Sequence, residues 1–157
     1  MLVGPVLNAV PSLGEEWAWR GWLLPALTDS HGPLIALPLS GVAWGLWHSP
    51  LTLLGYNYPV LGPWAGAYFT GFCILGGLVL GWLRLRSNSV WPAVVGHGAM
   101  NASAPAILLL GDAKAEPNVV VAGLTGLVGW ALLALLVVLL YRFWPIRAGR
   151  PARVDTI

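Results

Sequence analysis

The stretch GEEWAWRGW, Gly14 to Trp22, sets two adjacent glutamates and an arginine among three tryptophans. Around it the chain is starved of charge. Of 157 residues, 57% are hydrophobic and only 9% are Asp, Glu, Lys or Arg, against roughly 25% charged in a soluble domain. Water would not tolerate the surface this composition must expose, so the expected solvent is lipid. A charged side chain in hydrocarbon costs ~2.5 kcal/mol or more. Glu15, Glu16 and Arg20 therefore need a reason to be there.

Four flanking stretches, roughly 33–54, 64–83, 89–110 and 119–141, contain no Asp, Glu, Lys or Arg. Each is long enough to cross a bilayer, which takes about 20 residues. A fifth, about 4–28, is apolar but carries the glutamates, and Pro5, Pro11 and Pro25 blur its ends. Backbone polar groups in lipid must be satisfied internally, so all five are expected to be helices. The predicted fold is an all-α, polytopic transmembrane bundle of about five helices with its site inside, forming one membrane domain over 1–157. Arg84, Arg86, Ser87 and Asn88 are expected to form one connection, and Asp112, Lys114, Glu116 and Pro117 another. Alternate threading puts the Arg84/Arg86 loop and the tail (Arg142, Arg147, Arg150, Arg153) on one face. The positive-inside rule makes that face, and the C-terminus, cytoplasmic.

Other features carry less. The net charge of +2 gives no reason to expect a nucleic acid partner. The single cysteine, Cys73, excludes an intrachain disulfide and cannot alone form a cysteine-based zinc site. The N-terminus lacks a positively charged start and a clear cleavage site, so it does not read as a signal peptide. Asn101-Ala102-Ser103 fits a glycosylation acceptor pattern but lies in an apolar run. Gly41-x3-Gly45 and Gly77-x3-Gly81 have the spacing of close helix packing. The ten tryptophans suit membrane interfaces, and none is given a chemical role.

Intramembrane polar residues normally face the bundle interior or a wet cavity. Glu16 and Arg20 are four apart, able to pair on one helical face, while Glu15 points about 100° away. His97 and Asn101 are also four apart, and His48 stands alone near the far end of its span. With a rise of ~1.5 Å per residue, Glu15 lies ~20 Å deep, His48 ~22 Å, Asn101 ~18 Å and His97 ~12 Å. Three helices thus bring polar groups to overlapping depths. A plainer reading exists for Glu15, since Ser12-x-x-Glu15 is a capping-box pattern that would start a helix there.

Glu15-Glu16-x3-Arg20, Trp44-x3-His48 and His97-x3-Asn101 resemble, in order, the three signature motifs of the CPBP family. This family comprises the type II CAAX prenyl endopeptidases and related bacteriocin-processing or immunity proteins. The run SVWPAVVGHGAMNA also resembles its last motif region. The resemblance covers about 12–105, the expected catalytic core. It departs from the pattern at Trp44, where the family usually has Phe. The chain also begins shortly before the first motif, whereas family members usually carry further membrane helices upstream, which leaves a truncated gene model, a fragment and a minimal homologue as open readings.

The resemblance implies an intramembrane endopeptidase in a bacterial plasma membrane, acting on a peptide or lipidated protein. Carried over, Glu15 and His48 hold and deprotonate a water, and His97 and Asn101 donate to the oxyanion. Arg20 orients the glutamates and Glu16 assists. Glu15, His48 and His97 also match the ligand set of a catalytic zinc site, a metalloprotease alternative to the favoured metal-free form. Two other classes remain open: a catalytically silent immunity or scaffold protein, and a proton or ion pathway. Oligomeric state is left open.

Overall fold

A computed structural model describes residues 3–105 and 117–146. Among them the chain forms five helical rods and no strand. The first rod is α1 (Val3–Glu16), a π-helical stretch (Trp17–Leu23) and α2 (Leu24–His31) in unbroken succession. It stops at Gly32, whose φ of 75° favours glycine, and Pro33 opens α3 (Pro33–Leu53). A loop through Gly55 and Asn57 and a 3-10 turn (Pro59–Trp64) lead to α4 (Ala65–Ser87). Left-handed Asn88 ends α4, and α5 (Trp91–Ser103) follows with Pro92 in its first turn. The last rod is α6 (Leu127–Phe143).

Several expectations shift. The capping-box reading fails, because α1 begins at Val3 and buries Ser12 in its interior. The stretch expected at 119–141 is helical only from Leu127. Residues 119–126 fold back instead, with φ of 85° at Gly123 and extended backbone at Gly126. Side chains take up the carbonyls left there: Tyr58 Oη donates to Thr125 O (2.7 Å) and Tyr68 Oη to Val120 O (2.6 Å). Burial pushes the phenol of loop residue Tyr58 up to about 12. Residues 106–110 of the expected third span, and Asp112, Lys114 and Glu116, lie outside the described residues, as do Arg147, Arg150 and Arg153. By length and apolarity alone, Pro59–Ser87 is the one run among the described residues that clearly qualifies to cross a membrane, and α6 is a shorter apolar helix.

The two glycine pairs build one seam, between α3 and α4. A Cβ on Gly41 would lie 2.7 Å from Ile74 Cα, and one on Gly45 would lie 2.5 Å from Thr70 Cα. From the other side, a Cβ on Gly77 would meet Gly41 Cα at 3.2 Å. Small residues here let the backbones touch, as their spacing indicated. α1 lies against α5, where a Cβ on Gly98 would come 2.7 Å from Pro5 O. Trp44, Phe69, Phe72, Cys73 and Leu80 lie in the buried core between these layers.

Arg84 corrects the expected loop. It sits within α4 and is fully buried, so it is not a surface charge. The π-helical stretch explains it. Leu24 N–H reaches back five residues to Trp19 O. In that register Arg20 O would await the N–H of residue 25, which is proline and has none. Arg84 Nε donates to this carbonyl instead, at 3.0 Å. The chain thus satisfies a buried acceptor that its own helix leaves open.

Candidate active site

Glu16 and Arg20 pair as their spacing suggested. Arg20 Nη1 donates to Glu16 Oε1 at 2.8 Å, with both side chains fully buried. The same Oε1 is 2.8 Å from His97 Nδ1, across from α5. An ionised carboxylate only accepts, so His97 carries its hydrogen on Nδ1 and turns Nε2 away from Glu16. His97 is 3% exposed, so this arginine–glutamate–histidine group lies at the buried end of the site. Glu16 Oε2 and Arg20 Nε and Nη2 are buried without a hydrogen-bond partner, as is Trp19 Nε1.

The other three residues lie nearer the surface. Glu15 and His48 are half-buried and Asn101 is exposed. Glu15 Oε2 accepts from Trp44 Nε1 at 2.8 Å. His48 Nδ1 is 3.0 Å from Trp44 O. A carbonyl can only accept, so Nδ1 bears the hydrogen and the neutral ring has its lone pair on Nε2. That ring packs edge-on against Trp47 (4.8 Å) and Phe69 (4.9 Å). Asn101 Nδ2 donates to Ser12 Oγ at 3.4 Å.

The pairings differ in part from those expected. Glu15 hydrogen-bonds to Trp44 and not to His48; His97 bonds to Glu16, while Asn101 bonds to Ser12. Trp44, read from sequence without a chemical role, lies at the centre. Its ring carries the Arg20 guanidinium at 4.6 Å and meets His97 at 5.1 Å and His48 at 5.8 Å. One signal was present in the sequence: Trp44 stands four residues before His48, on the same helical face.

The metal alternative can be tested on these contacts. Among the described residues, no three His, Cys, Asp or Glu side chains converge closely enough to share one ion. Glu15 and His97 are turned to Trp44 and Glu16 respectively. Glu15, His48 and His97 therefore do not form a ligand set in this conformation.

The family model described as type II CAAX prenyl endopeptidase Rce1-like matches residues 1–103. A CAAX prenyl protease 2 from Methanococcus maripaludis is 28% identical over 105 residues, 64% of this chain. That alignment takes in 39% of the relative, so the chain spans about two-fifths of its length. No solved structure gives a significant match.

Proposed function

The chain belongs to the Rce1-like type II CAAX prenyl endopeptidases, a family of helical membrane hydrolases, and from that premise we propose that it forms the catalytic core of an intramembrane endopeptidase. The single observation that carries this reading is the meeting of α1, α3 and α5 at one polar cluster inside the bundle. Glu16, Arg20 and His97 form its buried floor, and Glu15, His48 and Asn101 its accessible side.

Hydrolysis needs a deprotonated water and a stabilised oxyanion. In this reading His48 Nε2, free because Nδ1 is tied to Trp44 O, takes a proton from a water that also hydrogen-bonds to Glu15. The water oxygen attacks the peptide carbonyl carbon. Negative charge gathers on the carbonyl oxygen, facing His97 Nε2 and Asn101 Nδ2. In this reading His97 has a proton on each ring nitrogen before the attack: Nδ1–H stays on Glu16, and Nε2–H donates to that oxygen without being transferred. Arg20 holds Glu16 in place through the 2.8 Å ion pair. Collapse breaks the C–N bond, and the proton held by His48 passes to the leaving amine.

The substrate class is a membrane-associated peptide or a lipidated protein, with the bilayer as partner. A multi-pass placement in a bacterial plasma membrane with a cytoplasmic C-terminus belongs to the same reading. Its charge support now rests on Arg86, Arg142 and the tail, since Arg84 is buried. Activity is proposed to need no bound metal.

The test is cleavage of prenylated and unmodified peptides by the protein in lipid nanodiscs. Glu15→Gln and His48→Ala are expected to lower kcat by roughly 10²- to 10⁴-fold while the protein stays folded. Activity is expected to survive exhaustive chelation. Loss restored only by added metal overturns the metal-free form. A phenotype unchanged in Glu15→Gln points to an immunity or scaffold role, and proton flux without cleavage points to an ion pathway.

A further inference from the structure

Trp44 is 2% exposed, and a buried indole N–H needs an acceptor. Trp19 Nε1 is buried with none, so burial alone does not guarantee one. Trp44 Nε1 instead meets Glu15 Oε2 at 2.8 Å, joining α3 to α1. A hydrogen bond to an ionised carboxylate is among the stronger kinds and fixes geometry as well. The same ring underlies the Arg20 guanidinium at 4.6 Å and abuts His97 and His48, while the Trp44 carbonyl sets the His48 tautomer. One side chain therefore touches Glu15, Arg20, His48 and His97.

We propose that Trp44 is a positioning residue for hydrolysis: its indole N–H holds one carboxylate oxygen of Glu15 so that the other is presented to the attacking water. The indole acts through Glu15 and does not touch the reacting atoms. A phenyl ring could fill the core and lie under Arg20, but it could not hold the carboxylate. Packing and positioning are thus separable by one substitution. The inference rests on the hydrolytic reading for its consequence, and on the contact alone for its geometry.

Trp44→Phe in nanodiscs, assayed on the peptide that the unaltered protein cleaves, tests the consequence. The expected result is a fall in kcat of roughly 10- to 100-fold, with KM within about 2-fold and thermal midpoint little changed. An unchanged kcat overturns the proposal, because a ring that only packs would leave it so. Geometry is read without any substrate from the indole 1H–15N spectrum. The Trp44 cross-peak, assigned from through-bond correlations in the unaltered protein, is expected to move when Glu15→Gln removes the charged acceptor. A peak that stays in place overturns the proposal, including where Trp44→Phe folds poorly. A moving peak in a protein that cleaves no peptide sustains the positioning contact while the hydrolytic reading fails.

Discussion

Two helix pairs make up most of this bundle, and they are joined by different means. α3 and α4 meet where side chains are missing, at Gly41, Gly45 and Gly77. α1 and α5 meet through side chains that carry charge or hydrogen bonds: Glu16 to His97, and Ser12 to Asn101. Both contacts are damaged by adding atoms, since a Cβ on Gly98 would lie 2.7 Å from Pro5 O, but the second is also damaged by removing a polar side chain. Trp44 ties one to the other, rising from α3 to hold Glu15 at the end of α1. Dispersion and shape hold the glycine seam, which frees the polar pair to be organised for chemistry.

The largest effect is expected where the polar pair loses its common acceptor. Glu16→Ala leaves Arg20 buried without its carboxylate, and breaking a buried pair in this way costs about 3–5 kcal/mol. Cleavage should vanish with the fold weakened, read as a lowered thermal midpoint in nanodiscs. If the midpoint holds, Glu16 is not the anchor of α1 against α5. The opposite operation on the seam is Gly45→Val. Its new carbons meet Thr70 Cα and Oγ1, both at under 3 Å, so the helices must part, at a cost of about 3 kcal/mol. The portion that remains folded should keep most of its kcat, because α4 contributes no side chain to the polar cluster: Trp44 and His48 stand on α3, and their polar partners come from the first rod and α5. A large loss of kcat in folded protein would mean that the two contacts are not separable.

That division also explains what the sequence disclosed. The glycine seam was legible because i, i+4 spacing of small residues is a local pattern with a single geometric consequence. Glu16–Arg20 was legible for the same reason. Depth and the family motifs led to an expected convergence of Glu15, His48, His97 and Asn101; the contacts join Glu16, Arg20 and His97 directly, Glu15 and His48 through Trp44, and Asn101 to Ser12. The cross-helix partners were not legible, since they depend on how each rod is rotated. Glu15 finds Trp44 across 29 residues of chain, and no spacing rule reaches that far. The end of the last rod nearest Gly126 was misplaced because 119–126 is as apolar as the helix that follows. Its left-handed turn at Gly123 and its hydrogen bonds to Tyr58 and Tyr68 are what show that it has turned back. Arg84 was hidden most deeply. Beside Arg86, Ser87 and Asn88 it reads as a loop charge, and its partner exists only because the backbone adopts a π register before a proline.

That partner supplies the smallest of these effects. Arg84→Met keeps most of the buried volume and removes the donor to Arg20 O. A buried carbonyl left without a partner costs about 2 kcal/mol, less than the loss of Glu16. Because Arg20 both ends this hydrogen bond and holds Glu16, slackness in the π-helical stretch should reach the carboxylate. The expected signature is a modest drop in thermal midpoint together with a kcat lowered by several-fold at steady KM. Arg84→Lys should recover part of each, since an ammonium can also donate to the carbonyl, though without the fixed guanidinium plane. If Arg84→Met lowers stability and leaves kcat untouched, the π register holds the glutamates without help. Arg84 would then belong with the glycine seam, as a fastening of the scaffold, and the polar pair would end at Arg20.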